Sequence, residues 1–200
     1  MQRISGILLA GGQSRRMGRD KAWLPVPCHS TNSPPILLEF MLERLYTAGI
    51  ERVAVSCNRS DLPQSIPGNI LISDRGISNG PLTGIASCLD ALPDGRVVII
   101  PVDMPGLSIS AIHQLMHHTG VVCYRDHALP CGIVNCTETR SLVSQRALQN
   151  GRSASVRALL DELHVEHLRC SSRDGLINTN TPEEWQQFWE QERGYDKACC

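Results

Sequence analysis

Residues 4–21 read ISGILLAGGQSRRMGRDK. The run Ile4–Ala10 is predominantly apolar and stops on Gly11-Gly12. A run with little polar alternation suits a parallel strand buried on both faces. Residues 97–105, VVIIPVDMP, repeat the pattern: an apolar run that ends abruptly in a turn. Between and beyond these two runs, strand-like and helical stretches alternate. Apolar residues at 37, 38, 41, 42, 45 and 48 predict a helix over 34–48, with Gly49 standing where a C′ residue belongs. Residues 52–57 and 69–72 predict strands, 82–92 a helix stopped by Pro93, and 96–102 a strand. Residues 108–118, 137–148 and 153–163 predict helices, with extended segments at 120–124 and 165–169. Thr181, Pro182 and Glu184 form a cap, an N1 proline and a capping box that open the last helix. This alternation predicts an α/β fold: a Rossmann-like, three-layer arrangement of a mostly parallel central sheet with helices on both faces.

The chain has 200 residues, and residues 1–200 are read as one domain, with 194–200 as a flexible tail. Lys+Arg is 19 and Asp+Glu is 20, a net charge of −1, which gives no support to nucleic-acid or anionic-membrane binding. No apolar stretch reaches membrane-spanning length, and the N-terminus lacks a signal peptide's long apolar region and cleavage site. The expectation is a cytoplasmic protein. The nine cysteines include no Cys-x-x-Cys pair, so they read as small buried hydrophobes and spare thiols rather than a zinc site. His113 and His117 are spaced i,i+4, but with no third ligand in view they read as a solvated helix face. Residues 25–35, PVPCHSTNSPP, read as a surface loop.

In an open α/β sheet, ligands gather at the carboxyl ends of the strands. Gly11 and Gly12 follow such an end and let the backbone approach a ligand closely. Arg15, Arg16 and Lys21 add cations beside that turn, a combination suited to a polyphosphate. The spacing matches neither a Walker A loop nor G-x-G-x-x-G. Asp103 follows the 96–102 strand and suits Mg²⁺, which takes one or two protein carboxylates and fills its remaining sites with phosphate oxygens and water. A turn aspartate without a ligand would look the same in isolation; its pairing with the first motif favours the metal reading. Residues 74–84, DRGISNGPLTG, form a shaped loop ahead of a helix, where Asp74 matches the two-donor edge of guanine.

Four stretches together carry a family resemblance: LLAGGQSRRMGRDKA, SDRGISNGPLTGI, PVDMP and INTNTPEEW. In this order, over roughly residues 4–190, the chain resembles the molybdenum cofactor guanylyltransferases, within the wider nucleotidyltransferases. The resemblance implies transfer of GMP from GTP to molybdenum-molybdopterin, with release of pyrophosphate. It implies main-chain contacts to the nucleotide from Leu9, Ala10, Gly11 and Gly12, and phosphate neutralisation by Lys21. Arg15 would grip the outer phosphates, Asp74 the guanine, and Asp103 the Mg²⁺. Asn178 and Asn180 would lie near the acceptor or the metal region, or simply cap the last helix. Two departures stand out. Ser56 occupies a place where some members carry an asparagine, with Asn58 as a substitute, and the loop after Val26 is longer than in many relatives. The resemblance also implies contact with molybdopterin-handling proteins and apo-molybdoenzymes.

Three other readings remain open from the residues. A related enzyme would use CTP on the same pterin, and base preference separates the two. A sugar-phosphate nucleotidyltransferase would need additional sugar-binding segments, for which 200 residues leave little room. A non-catalytic adaptor that hands cofactor to an apoenzyme would not need Lys21 and Asp103.

Overall fold

The computed structural model describes residues 4–11, 20–27, 34–57, 70–72, 80–149, 154–171 and 175–198. Its strands are β1 (Ile4–Leu9), β2 (Arg52–Ser56), β3 (Ile70–Ile72), β4 (Gly95–Pro101), β5 (Val122–Tyr124), β6 (Cys131–Asn135) and β7 (Glu166–Leu168). Its helices are α1 (Leu37–Thr47), α2 (Pro81–Ala91), α3 (Ile109–His117), α4 (Thr137–Ala147), α5 (Val156–Glu162) and α6 (Pro182–Ala198). The strands form one sheet in the order β3-β2-β1-β4-β6-β5-β7. Pairing is parallel throughout except at β6, which runs antiparallel to both β4 and β5.

Period-2 geometry sends successive side chains of each strand to opposite faces. On one face Leu8, Val53, Val55, Val98 and Ile100 pack with apolar residues of α1, α3 and α6. On the other, Ile7, Leu9, Ala54, Val97 and Ile99 pack with residues of α2, α4 and α5. The layered α/β architecture expected from the sequence is therefore the one observed. The central strands carry continuous apolar runs because both of their faces are covered.

Two features were not legible in the sequence. One is β6, where Gly132 interrupts a short run that carries no strand signature of its own. The other is Arg96, a charged side chain in mid-sheet and only 1% exposed. Its Nε donates to the carbonyl of Leu115 at 2.9 Å, and its Nη1 and Nη2 reach the carbonyls of Gly120 and Leu115. Those carbonyls lie at and just past the C-terminus of α3, where backbone acceptors lack helical partners and the helix dipole favours a cation. Burial lowers the Arg96 pKa from its ordinary value. Gly132 lies beside this guanidinium, and a Cβ there would collide with Arg96 Nη2. The glycine that weakens the strand signature makes room for the arginine.

The 25–35 loop is closed at its base by a bridge between Pro25 and Ile36 and by Val26 N–H donating to Pro35 O at 2.8 Å. Residues 28–33 lie outside the described residues. Helix α6 continues through Ala198, into the stretch read from sequence as a tail. His113 and His117 are exposed on α3, and His113 Nε2 lies 3.2 Å from the carbonyl of Ala48.

Candidate active site

The parallel strands β2, β1 and β4 end together, with Leu9 opposite Ser56 on one side and Pro101 on the other. The ladder continues one step further: Val102 N–H donates to Leu9 O at 3.0 Å, and Ala10 N–H to Ser56 O at 2.8 Å. Ala10-Gly11 and Val102-Asp103 therefore leave the sheet as neighbours. Leu9 and Ala10 are buried, Gly11 is exposed, and Ser56 is buried. The Ala10 N–H is taken by Ser56, so a ligand meeting the main chain here would find the Ala10 carbonyl and Gly11.

Lys21 arrives from a different direction. It opens a 3-10 turn, Lys21–Trp23, capped by Asp20, whose side chain accepts from Ala22 N–H at 3.2 Å. Ala22 is fully buried and anchors the turn. Lys21 Nζ donates to Asp103 Oδ2 at 3.2 Å and to Asn180 Oδ1 at 2.6 Å. The side chains of Lys21 and Asp103 are 12% and 21% exposed, which keeps solvent screening of this pair low while leaving it accessible to a ligand.

Asn180 reaches the site because the segment before α6 docks on the β4 exit. Thr179, fully buried, donates to the Asp103 carbonyl from its N–H at 2.9 Å and its hydroxyl at 3.3 Å. Gly175, at φ +66°, sits where a Cβ would collide with the Gly106 carbonyl, so a glycine is required for this approach. The capping box expected at Thr181 is present: Glu184 N–H donates to Thr181 Oγ1 at 3.2 Å, and Glu184 Oε2 accepts from Thr181 N–H at 3.1 Å. The same carboxylate also accepts from Asn180 N–H at 2.6 Å. The two sequence readings of Asn180, site residue or cap, thus merge. Its backbone belongs to the cap and its side chain to the site.

Asp103 also borders a cavity of about 580 Å³, together with Pro81, Met104, Leu129, Arg157 and Asn178. Among the described residues, only Oδ2 of Asp103 is engaged by protein. A hard divalent cation fits that donor set, since it needs few protein carboxylates when phosphate oxygens and water complete its shell. No group of three or more potential metal ligands occurs among the described residues. Gly12, Arg15, Arg16, Asn58 and Asp74 lie outside the described residues. What the structure brings together from the sequence reading is Leu9, Ala10, Gly11, Lys21 and Asp103, with Asn178 and Asn180 added. Sequence reasoning undervalued Asn180; the signal was its place just ahead of a capping box.

Residues 6–168 match the family described as the MobA-like NTP transferase domain. The chain belongs to that family. A relative from Xanthomonas euvesicatoria pv. vesicatoria, named molybdenum cofactor guanylyltransferase, is 35% identical over 92% of this chain and 93% of its own. A probable molybdenum cofactor guanylyltransferase from Synechococcus elongatus is 27% identical over 92% of this chain and 96% of its own. Among solved structures, molybdopterin-guanine dinucleotide biosynthesis protein A from Archaeoglobus fulgidus superposes with a TM-score of 0.75 at 18% identity, covering 95% of this chain and 99% of that one. The 2-C-methyl-D-erythritol 4-phosphate cytidylyltransferase of Thermus thermophilus superposes with a TM-score of 0.68 at 16% identity, over 96% and 100% of the two chains. These likenesses confirm the fold. This MobA-like chain is a nucleotidyltransferase.

Proposed function

We propose that this chain transfers GMP from GTP to molybdenum-molybdopterin in molybdenum cofactor synthesis, releasing pyrophosphate. The terminal phosphate of the pterin attacks the α-phosphorus of GTP, forming a new P–O–P bond as the bond to the pyrophosphate oxygen breaks. The observation that carries the reading is the convergence of Lys21, Asp103 and Asn180 at the joint end of β1 and β4. The names borne by relatives support the choice of substrates.

The attacking phosphate is already an anion, so the chain's own residues have mainly to position and neutralise. The main chain of Leu9, Ala10, Gly11 and Gly12 holds the nucleotide, a role that the place of Leu9–Gly11 at the end of β1 supports. Lys21, oriented by Asn180, meets the charge that accumulates on the phosphates. Arg15 grips the outer phosphates and Asp74 reads the guanine edge. Asp103 would hold Mg²⁺, which neutralises phosphate oxygens when bound. The whole of residues 1–200 serves as one nucleotidyltransferase unit. The reaction's setting is the cytoplasm, where reducing conditions keep thiols such as the exposed Cys170 free. The described helices include none long and apolar enough to cross a membrane. Molybdopterin-handling proteins and apo-molybdoenzymes are the expected macromolecular partners.

Isothermal titration of GTP, CTP, ATP and UTP with Mg²⁺, alongside pyrophosphate release with molybdenum-loaded pterin, tests the proposal. The expected result is preferential GTP binding and turnover that is lost in Asp103→Ala. Preference for CTP would keep the chemistry and overturn the reading of the 74–84 loop. Failure to bind any nucleotide would favour a cofactor-delivery adaptor instead.

A further inference from the structure

The cavity beside Asp103 has a second polar wall that the nucleotide reading does not use. Residues Tyr124–His127 form a tight turn, closed by His127 N–H donating to Tyr124 O at 3.0 Å. Asp126 occupies its third position at φ +67°, a left-handed conformation uncommon for any residue with a Cβ. Arg157, from the first turn of α5, donates through Nη2 to the Asp126 carbonyl at 3.0 Å. A second bond ties the turn's other end to β7, with Arg125 N–H donating to Leu168 O at 2.9 Å. The turn is therefore held from two sides. The Asp126 carboxylate itself makes no hydrogen bond or ion pair with any described residue, although Asp126 and Arg157 line the same cavity as Asp103 and Asn178.

Non-glycine residues held at positive φ cluster at ligand-binding sites. A volume of about 580 Å³ falls in the usual range for a small-molecule site of a few hundred to about 1,000 Å³. Its apolar lining, including Pro81, Met104 and Leu129, suits the faces of a flat ring. Asp126 is exposed and lines the cavity, and a carboxylate suits an edge with two adjacent N–H donors, since each oxygen can accept one of them. The acceptor named under Proposed function carries such an edge, the ring N–H and exocyclic amine of its pterin. We propose that Asp126 reads the donor edge of the acceptor's heterocycle, and that Arg157 is a positioning residue that holds the Asp126 turn. This inference rests on the proposed acceptor.

Asp126→Asn and Asp126→Gly both tolerate the left-handed backbone, so each removes the carboxylate pair while leaving the turn able to fold. Initial rates of dinucleotide formation from GTP and molybdenum-loaded molybdopterin, together with GTP titration in the absence of acceptor, form the test. The expected result is a KM for the acceptor raised about 10- to 100-fold in both variants, the range for a lost charged hydrogen-bond pair. GTP affinity should stay within about twofold, the spread expected when no nucleotide contact is lost. Arg157→Ala should raise the same KM by a smaller factor. An acceptor KM unchanged in both Asp126 variants, or a rise matched by weaker GTP binding, would overturn the assignment. A wild-type enzyme that binds GTP but forms no dinucleotide would overturn the proposed acceptor, and this inference with it.

Discussion

Among the described residues, Lys21 donates to two oxygens of different kinds, the Asp103 carboxylate and the Asn180 amide. The two contacts have separable consequences. Lys21→Ala removes the cation itself and should lower turnover by about 10²- to 10³-fold, the scale for losing one preorganised electrostatic contact in a transition state. Asn180→Ala keeps the cation but releases it from the shorter of these two bonds. It should lower turnover by about 10- to 100-fold while leaving GTP affinity nearly intact, because positioning rather than charge is lost. Pyrophosphate release under saturating GTP, read beside GTP titration, checks both. Equal losses in the two variants would mean that Asn180 does more than orient the lysine.

Between β4, β6 and α3, the buried Arg96 replaces packing with hydrogen bonds. Its guanidinium satisfies the carbonyls of Leu115 and Gly120, and Gly132 makes room for it. Arg96→Ala leaves those acceptors buried without a donor and opens a cavity, and should cost about 3–5 kcal/mol. Gly132→Ala forces a methyl group against the guanidinium and the Leu115 carbonyl and should cost about 1–3 kcal/mol. Urea midpoints measure both. Costs that simply add in the double variant would mean that the two sites are uncoupled, contrary to their contact. The same elements show why β6 was hidden from a linear reading. A strand is recognised by its apolar pattern, and Cys131–Asn135 spends part of that pattern on Gly132, whose role is set by an arginine 36 positions earlier.

Across the whole molecule, the cysteines report on burial. Cys57, Cys88, Cys123 and Cys131 are buried, whereas Cys170 is exposed. Burial pushes the Cys131 thiol well above its ordinary value of 9.0. Alkylation mapped on peptides should therefore modify Cys170 early and Cys131 only on unfolding. The same shift has a defined sign in stability. The folded thiol keeps its proton where the unfolded one loses it, so this contribution is complete below the ordinary thiol pKa and is lost as pH rises above about 8.5–9. The urea midpoint should fall in alkaline solution, and Cys131→Ala should flatten that fall. A pH profile unchanged by the substitution would assign the loss to other groups.

The alternation of apolar runs and helical patterns determined the layered α/β class, because both strand burial and helix amphipathicity depend on local spacing. The end of β1 and the end of β4 were legible as candidate site edges for the same reason: each is an apolar run cut short by residues of special chemistry, Gly11 in one and Asp103 in the other. The capping box at Thr181 and Glu184 was legible because its partners are three residues apart. Only the tertiary structure decided that Asn180 completes the Lys21 site, that Arg96 crosses the sheet to α3, and that Asp126 faces the same cavity as Asp103. Each of these depends on residues far apart in the chain, 159 positions in the case of Lys21 and Asn180. No local pattern encodes such a meeting; it arises when both faces of the sheet are buried and the strand ends are brought to one edge.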